Sequence, residues 1–160
     1  MESSTISLFL TLSLVAATAA GQSSSEEYLD FLEAHNRARA EVGVQPLEWS
    51  NIVENFAVTY AQRPDNNCSL VESREAYGEN QASRMGQLSA EDAVNIWVSE
   101  KPNYDYTSNS CVGGPCQNYT QVVWANSTEL GCARQQCTNG LVFAICYYNP
   151  PGNFIGERPY

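Results

Sequence analysis

The chain has 160 residues, with 18 acidic side chains against 8 basic ones and a formal net charge of −10. That balance excludes nucleic-acid binding through a basic face and argues against charge-driven attack on anionic lipid. The single histidine, His35, excludes a two-histidine metal site within one chain.

The first residues read as a leader rather than as part of a fold. Ile6 to Ala20 is an apolar run that closes in small residues, too short for a membrane span. Its n-region is unusual in carrying Glu2 and no Lys or Arg. Cleavage is expected between Ala19 and Gln22, leaving a signal peptide over 1–21 and one secreted domain over 22–160, long enough for a real core.

Ser24 and Glu27 have capping-box spacing. Tyr28, Phe31, Leu32, His35 and Ala38 follow at helical intervals, with Gly43 as a stop. His35 thus shares a face with Phe31 and Leu32, and a buried, hydrogen-bonded imidazole is favoured over a catalytic one. Ser50 is expected to cap a second helix with an apolar stripe of Ile52, Val53, Phe56, Ala57, Tyr60 and Ala61, ending before Pro64. The segment 66–87 is mostly polar and reads as loop. Ser89 caps a third helix with Glu91 and Asp92 at its positive end, a buried stripe of Val94, Trp97 and Val98, and Pro102 at its close. After a loop over 103–117, three strands are expected: Tyr119–Trp124, Leu130–Arg134 and Leu141–Tyr148. Asn139-Gly140 marks a hairpin between the last two. Helices first and a sheet last predict an α+β fold with an antiparallel C-terminal sheet.

Cys68, Cys111, Cys116, Cys132, Cys137 and Cys146 form an even set behind a leader, which reads as three disulfides among fifteen possible pairings. Zinc held by the two C-x4-C pairs is disfavoured in an oxidising compartment. Asn67, Asn118 and Asn126 each begin an N-x-[ST] sequon.

Five segments then stand in order: A-H-N-x-A-R at 34–39, Y-G-E-N at 77–80, W-V-S-E at 97–100, Y-T-Q-V-V-W at 119–124 with G-C-A at 131–133, and C-Y-Y-N-P-P-G-N-F-I-G-E-R-P-Y at 146–160. Together with the cysteines they closely resemble the plant pathogenesis-related group 1 proteins. These belong to the CAP superfamily of cysteine-rich secretory proteins, antigen 5 and pathogenesis-related proteins. The resemblance implies a three-layer α-β-α sandwich (the CAP or SCP domain) and the bridges Cys68–Cys137, Cys111–Cys116 and Cys132–Cys146.

The resemblance also implies a cleft of two glutamates and two histidines able to hold a divalent metal. Its glutamates map onto Glu79 and Glu100. Its histidine positions map onto Glu72, in C-S-L-V-E-S, and Asn118, directly before Y-T-Q-V-V-W. His35 matches the helix motif instead. The expectation is a degenerate cleft of Glu72, Glu79, Glu100 and Asn118, with no metal, no cofactor and no catalysis, because no nucleophile has a histidine base beside it. An all-oxygen cluster would suit calcium or magnesium better than zinc, given enough ligands.

Two functions follow from the resemblance. One is a non-enzymatic, antimicrobial plant-defence protein that binds sterol or another lipid at the loop of Tyr104, Tyr106 and Cys111–Cys116. The other is a precursor whose segment 150–160, released between Asn149 and Pro150, signals through a receptor. The match P-x-G-N-x-I-G-x-R-P-Y is complete, whereas Tyr147 and Asn149 depart from the usual approach to the cut. The expected protein is a monomer in the extracellular space or apoplast, with the vacuole as a second destination.

Overall fold

The computed structural model describes residues 24–63 and 67–160. The expected leader and cleavage region, the expected stop at Pro64 and the Ser24 side chain of the expected capping box lie outside the described residues. The elements are α1 (Ser24–Glu41), β1 (Glu48–Trp49), α2 (Asn51–Ala61), β2 (Gly78–Met85), α3 (Ala90–Val98), a 3-10 turn (Lys101–Asn103), β3 (Tyr104–Asp105), β4 (Ser110–Cys111), α4 (Gln117–Val122), β5 (Glu129–Gln136) and β6 (Leu141–Asn149).

The main sheet has the order β1-β5-β6-β2, with β6 antiparallel to both neighbours and β1 parallel to β5. β6 explains the layering. Its side chains alternate between two faces. Val142, Ala144, Cys146 and Tyr148 pack with residues of α1, α3 and α4, whereas Phe143, Ile145 and Tyr147 pack with Val53, Ala57 and Tyr60 of α2. Both faces are covered, so β6 reads as a continuous apolar run rather than an alternating one. The result is the expected α+β sandwich of helices, sheet and helix.

The α2 layer sits directly on β5. A Cβ at Gly131 would lie 2.1 Å from the backbone nitrogen of Glu54, so only glycine permits this approach. The three implied disulfides are all present: Cys68–Cys137, Cys111–Cys116 and Cys132–Cys146. The third staples the directly opposed residues of β5 and β6.

Local chemistry explains the caps. Ser89 accepts the Asp92 N–H at 3.0 Å while Asp92 accepts the Ser89 N–H at 3.1 Å, a reciprocal capping box. Ser50 holds the N-cap position of α2 without a side-chain hydrogen bond. Ile52 and Phe56, expected in the α2 stripe, are exposed, and Val53, Ala57, Tyr60 and Ala61 are the buried face.

Two expectations are corrected. Residues 119–124 are not a strand: Gln117–Val122 is α4. Tyr119, Val122 and Val123 recur at helical spacing and are buried with the α1 and α3 core, and this packing overrides the β-propensity of Tyr, Thr and Val. The segment 66–87 is not all loop, because β2 pairs with β6 over its full length. Its polar residues concealed it: Asn80 and Ala82 face inward while Glu79, Gln81 and Ser83 take the alternate positions. The sheet is therefore neither wholly C-terminal nor wholly antiparallel.

Candidate functional site

The four cleft residues fall into two pairs. Glu100 lies two residues beyond α3, at the start of the 3-10 turn, and faces the start of α4. Its carboxylate accepts the N–H of Asn118 at 2.9 Å, the Asn118 side-chain amide at 2.7 Å and the N–H of Tyr119 at 3.3 Å. It thereby satisfies helix N–H groups that would otherwise lack partners. Glu79, on β2, accepts the Ser73 N–H at 3.3 and 3.1 Å and the Gln81 side-chain amide. Burial raises the Glu79 pKa, the Ser73 and Gln81 hydrogen bonds oppose this, and the nearby Glu72 charge adds to the rise.

Asn80 links the pairs. Adjacent to Glu79, it donates to the Asn118 carbonyl at 2.9 Å and to the Tyr148 hydroxyl at 3.0 Å. The Tyr148 hydroxyl in turn lies 2.8 Å from His35 Nε2, while His35 Nδ1 lies 2.7 Å from the Phe31 carbonyl. A carbonyl only accepts, so Nδ1 carries the proton and Nε2 accepts from Tyr148. His35 is fully buried, and desolvation pushes its pKa down to about 4. It is the buried, hydrogen-bonded core imidazole that its helix face predicts.

This donor set does not fit a zinc ion. One Glu100 oxygen is engaged by two α4 N–H groups and the other by the Asn118 side-chain amide, the Glu79 oxygens by Ser73 and Gln81, and the only imidazole is buried in the core. Among the described residues no three His, Cys, Asp or Glu side chains gather in a metal-holding group.

The second candidate region is the tyrosine loop. β3 and β4 form a short hairpin that ends in the Cys111–Cys116 bridge. The C-terminal tail crosses it. Tyr160 stacks on Tyr106 at 5.3 Å and meets Tyr104 edge-on at 6.0 Å. The Arg158 guanidinium lies 4.8 Å from the Tyr106 ring centre and donates to the Tyr106 and Thr107 carbonyls. Asn109 donates to the Glu157 carbonyl at 2.9 Å and accepts from the Tyr104 hydroxyl at 2.8 Å.

The rest of the tail is held as firmly. The Asn153 side chain accepts from Thr120 Oγ1 at 2.6 Å and donates to the Gln117 carbonyl at 2.9 Å. The Gly152 N–H donates to Gln121 at 2.9 Å. Ser127 Oγ donates to the Pro150 carbonyl at 2.8 Å, and the Ala125 N–H donates to the Pro159 carbonyl at 2.7 Å.

A groove of about 250 Å³ opens between loop and tail; Tyr104, the Cys111–Cys116 bridge, Trp124, Phe154 and Ile155 line it together with the polar side chains of Gln117, Thr120 and Asn153. Phe154 is 51% exposed and Ile155 fully so. Tyr106 is spent on Tyr160 and Arg158 rather than lining the groove. Sequence reasoning missed Phe154, Ile155, Arg158 and Tyr160 as partners of the loop, because nothing local says where a tail of Pro, Gly and Asn docks. It also missed Arg39, one turn after His35. Its fully buried guanidinium donates to the carbonyls of Gln45, Val122, Trp124 and Ser127 at 2.7, 3.1, 2.8 and 3.0 Å.

Comparison with known proteins agrees with this architecture. Residues 32–148 match the family described as CAP, the cysteine-rich secretory protein family. The basic form of pathogenesis-related protein 1 of Nicotiana tabacum is 47% identical over 155 residues, covering 97% of this chain and 86% of that protein. Pathogenesis-related protein 1 of Arabidopsis thaliana is 44% identical over 153 residues, covering 96% and 94%. Among solved structures, NaASP2 with Zn2+ superposes with a TM-score of 0.72 at 25% identity, covering 86% of each chain. The chain belongs to the CAP family and, within it, groups with the plant pathogenesis-related protein 1 sequences.

Proposed function

We propose that this is a secreted, non-enzymatic plant-defence protein that acts by binding a sterol or similarly flat lipid in the groove between the disulfide loop and the tail. The observation that carries the reading is the groove itself: apolar side chains at its mouth, backed by a bridged loop and a firmly hydrogen-bonded tail. At about 250 Å³ it takes the edge of a ring system and leaves the remainder to Phe154 and Ile155 outside. The family's name and its plant defence relatives support secretion and the defence role. Among the described residues no helix is long and apolar enough to cross a membrane. The lack of catalysis is supported by His35, whose two nitrogens are both engaged in the core. Extracellular or apoplastic delivery, the alternative vacuolar destination and a monomeric state belong to the same reading.

Equilibrium binding of labelled ergosterol or cholesterol tests it. Saturable binding is expected, weakened about tenfold or more by Ile155→Ser with Phe154→Ser, since burying each apolar side chain is worth about 1.5–3 kcal/mol. Absence of saturable binding at micromolar protein rejects the lipid ligand.

The tail favours a second reading, release of Pro150–Tyr160 as a signal for a receptor. These residues lie beyond β6, outside the main sheet. The bond to be cut is nevertheless clasped: the Asn149 carbonyl accepts the Thr128 N–H at 2.9 Å, and Asn149 pairs with Glu129 in the sheet. Release then requires the end of β6 to open. Mass spectrometry of extracellular fluid after wounding or infection should find the peptide; its absence after both treatments rejects this reading.

A further inference from the structure

The three sequons differ sharply in what the fold leaves available. Asn118 is half-buried in α4, its amide spent on Glu100, and the two residues after it, Tyr119 and Thr120, are buried. A sugar on that amide would have to stand between α4 and Glu100. Asn67 is exposed, but its sequon runs through Cys68, which is buried, bridged to Cys137 and held at a φ of 62°. Its side-chain carbonyl accepts the Ser69 N–H at 3.1 Å, and its backbone carbonyl accepts from Asn139 at 2.9 Å. Its third residue is serine.

Asn126 itself is less constrained, although Ser127, the middle residue of its sequon, is fully buried and holds the Pro150 carbonyl. It lies exposed in the turn between α4 and β5, and among the described residues its side chain makes no hydrogen bond. The third residue of its sequon, Thr128, is also exposed.

We propose that Asn126 carries an N-linked glycan, and that this glycan screens the turn that clasps both ends of the C-terminal tail. The placement follows from the neighbours. Ala125 holds the Pro159 carbonyl, Ser127 holds the Pro150 carbonyl and Thr128 holds the Asn149 carbonyl. A sugar chain rooted between them stands over the Asn149–Pro150 bond and beside the strand end that must open for that bond to be cut. The chemistry is that of the secretory route: the Asn126 amide nitrogen bonds to the anomeric carbon of a lipid-linked oligosaccharide pyrophosphate. The carbon–oxygen bond to the pyrophosphate breaks, the lipid pyrophosphate leaves with the bonding pair, and the amide proton passes to a base of the transferase. The inference rests on the proposed secretion.

The test is expression of the full chain in plant cells, with intact-mass analysis of medium and cell fractions before and after a peptide:N-glycanase that accepts plant glycans. Expected is secreted protein bearing one glycan, lost in Asn126→Gln and in Thr128→Ala but kept in Asn67→Gln and Asn118→Gln. Thr128→Ala removes the sequon without altering Asn126, so loss in both variants locates the site. Secreted protein without a glycan, or with one at Asn67 or Asn118 in place of Asn126, overturns the glycan and leaves secretion standing. Protein retained in the cytosol overturns both. Limited proteolysis should release 150–160 several-fold more slowly from the glycosylated protein than from Asn126→Gln, and equal rates, including none from either, overturn the screening.

Discussion

Acid should destabilise this protein through His35 in a defined window. The unfolded imidazole titrates near 6.5, whereas the folded one is pushed down to about 4 by burial. Between these values the unfolded chain binds a proton that the native state refuses, so stability falls as the pH drops through 6.5 and the loss is complete below about 4. At about 1.4 kcal/mol per pH unit of displacement, the full loss is about 3 kcal/mol. The geometry explains the refusal: a second proton would sit on Nε2, which accepts from Tyr148, in a site packed by the Trp97 ring and facing the Arg39 charge. Glu79 has the opposite sign, because its raised pKa makes acid favour the folded state. The His35 contribution is therefore read as a difference. Urea unfolding of the native sequence and of His35→Gln, disulfides intact, is measured across this window. The stability gap between the two proteins should shrink by about 3 kcal/mol from neutral pH to pH 4. A gap that stays constant, or an imidazole whose NMR signals titrate near 6.5, refutes the reasoning.

Arg39→Met removes the only described partner of the Gln45, Val122 and Ser127 carbonyls, while relieving the cost of a buried charge. Urea unfolding should show a net loss of about 3 kcal/mol, and a loss under about 1 kcal/mol would mean that water replaces the guanidinium. Gly131→Ala drives a Cβ into the Val53–Glu54 backbone and should cost about 2–3 kcal/mol by thermal unfolding, because backbone cannot rotate away. The double variant Glu72→His, Asn118→His places imidazoles beside Glu79 and Glu100. Calorimetry should show zinc affinity rising on the order of tenfold or more over the native sequence. Equal zinc binding by both proteins would overturn the degenerate cleft.

The layers of this fold were legible wherever the pattern of apolar residues matched the packing that formed. α3 shows its cap, dipole charges and stripe in ten residues, and β6 shows a run that only a doubly covered strand requires. β2 was hidden because its core-facing contributions are Asn80 and Ala82, and Asn80 is buried for its hydrogen bonds rather than its apolarity. α4 was misread because its β-branched run has strand propensity, while a residue eighteen positions earlier, Glu100, supplies the hydrogen bonds at its start. The disulfide pairing and the cleft came from resemblance, since spacing alone leaves fifteen pairings open.

The same network explains how the scaffold tolerates a cleft without imidazoles. Two partly buried carboxylates need hydrogen-bond partners when neither an imidazole nor a cation stands beside them. Here one carboxylate becomes the cap of α4, and the other takes the Ser73 N–H and the Gln81 amide. Asn118 cooperates by donating through both its backbone and its side chain. The cleft thus closes on its own hydrogen bonds. The groove proposed to bind lipid is lined by Gln117 and Thr120 of α4 and by Trp124 just after it. α4 therefore serves both regions, with its start tied to Glu100 and its end tied through Gln121 to Gly152. A variant that frees Glu100 should loosen the tail as well as the cleft.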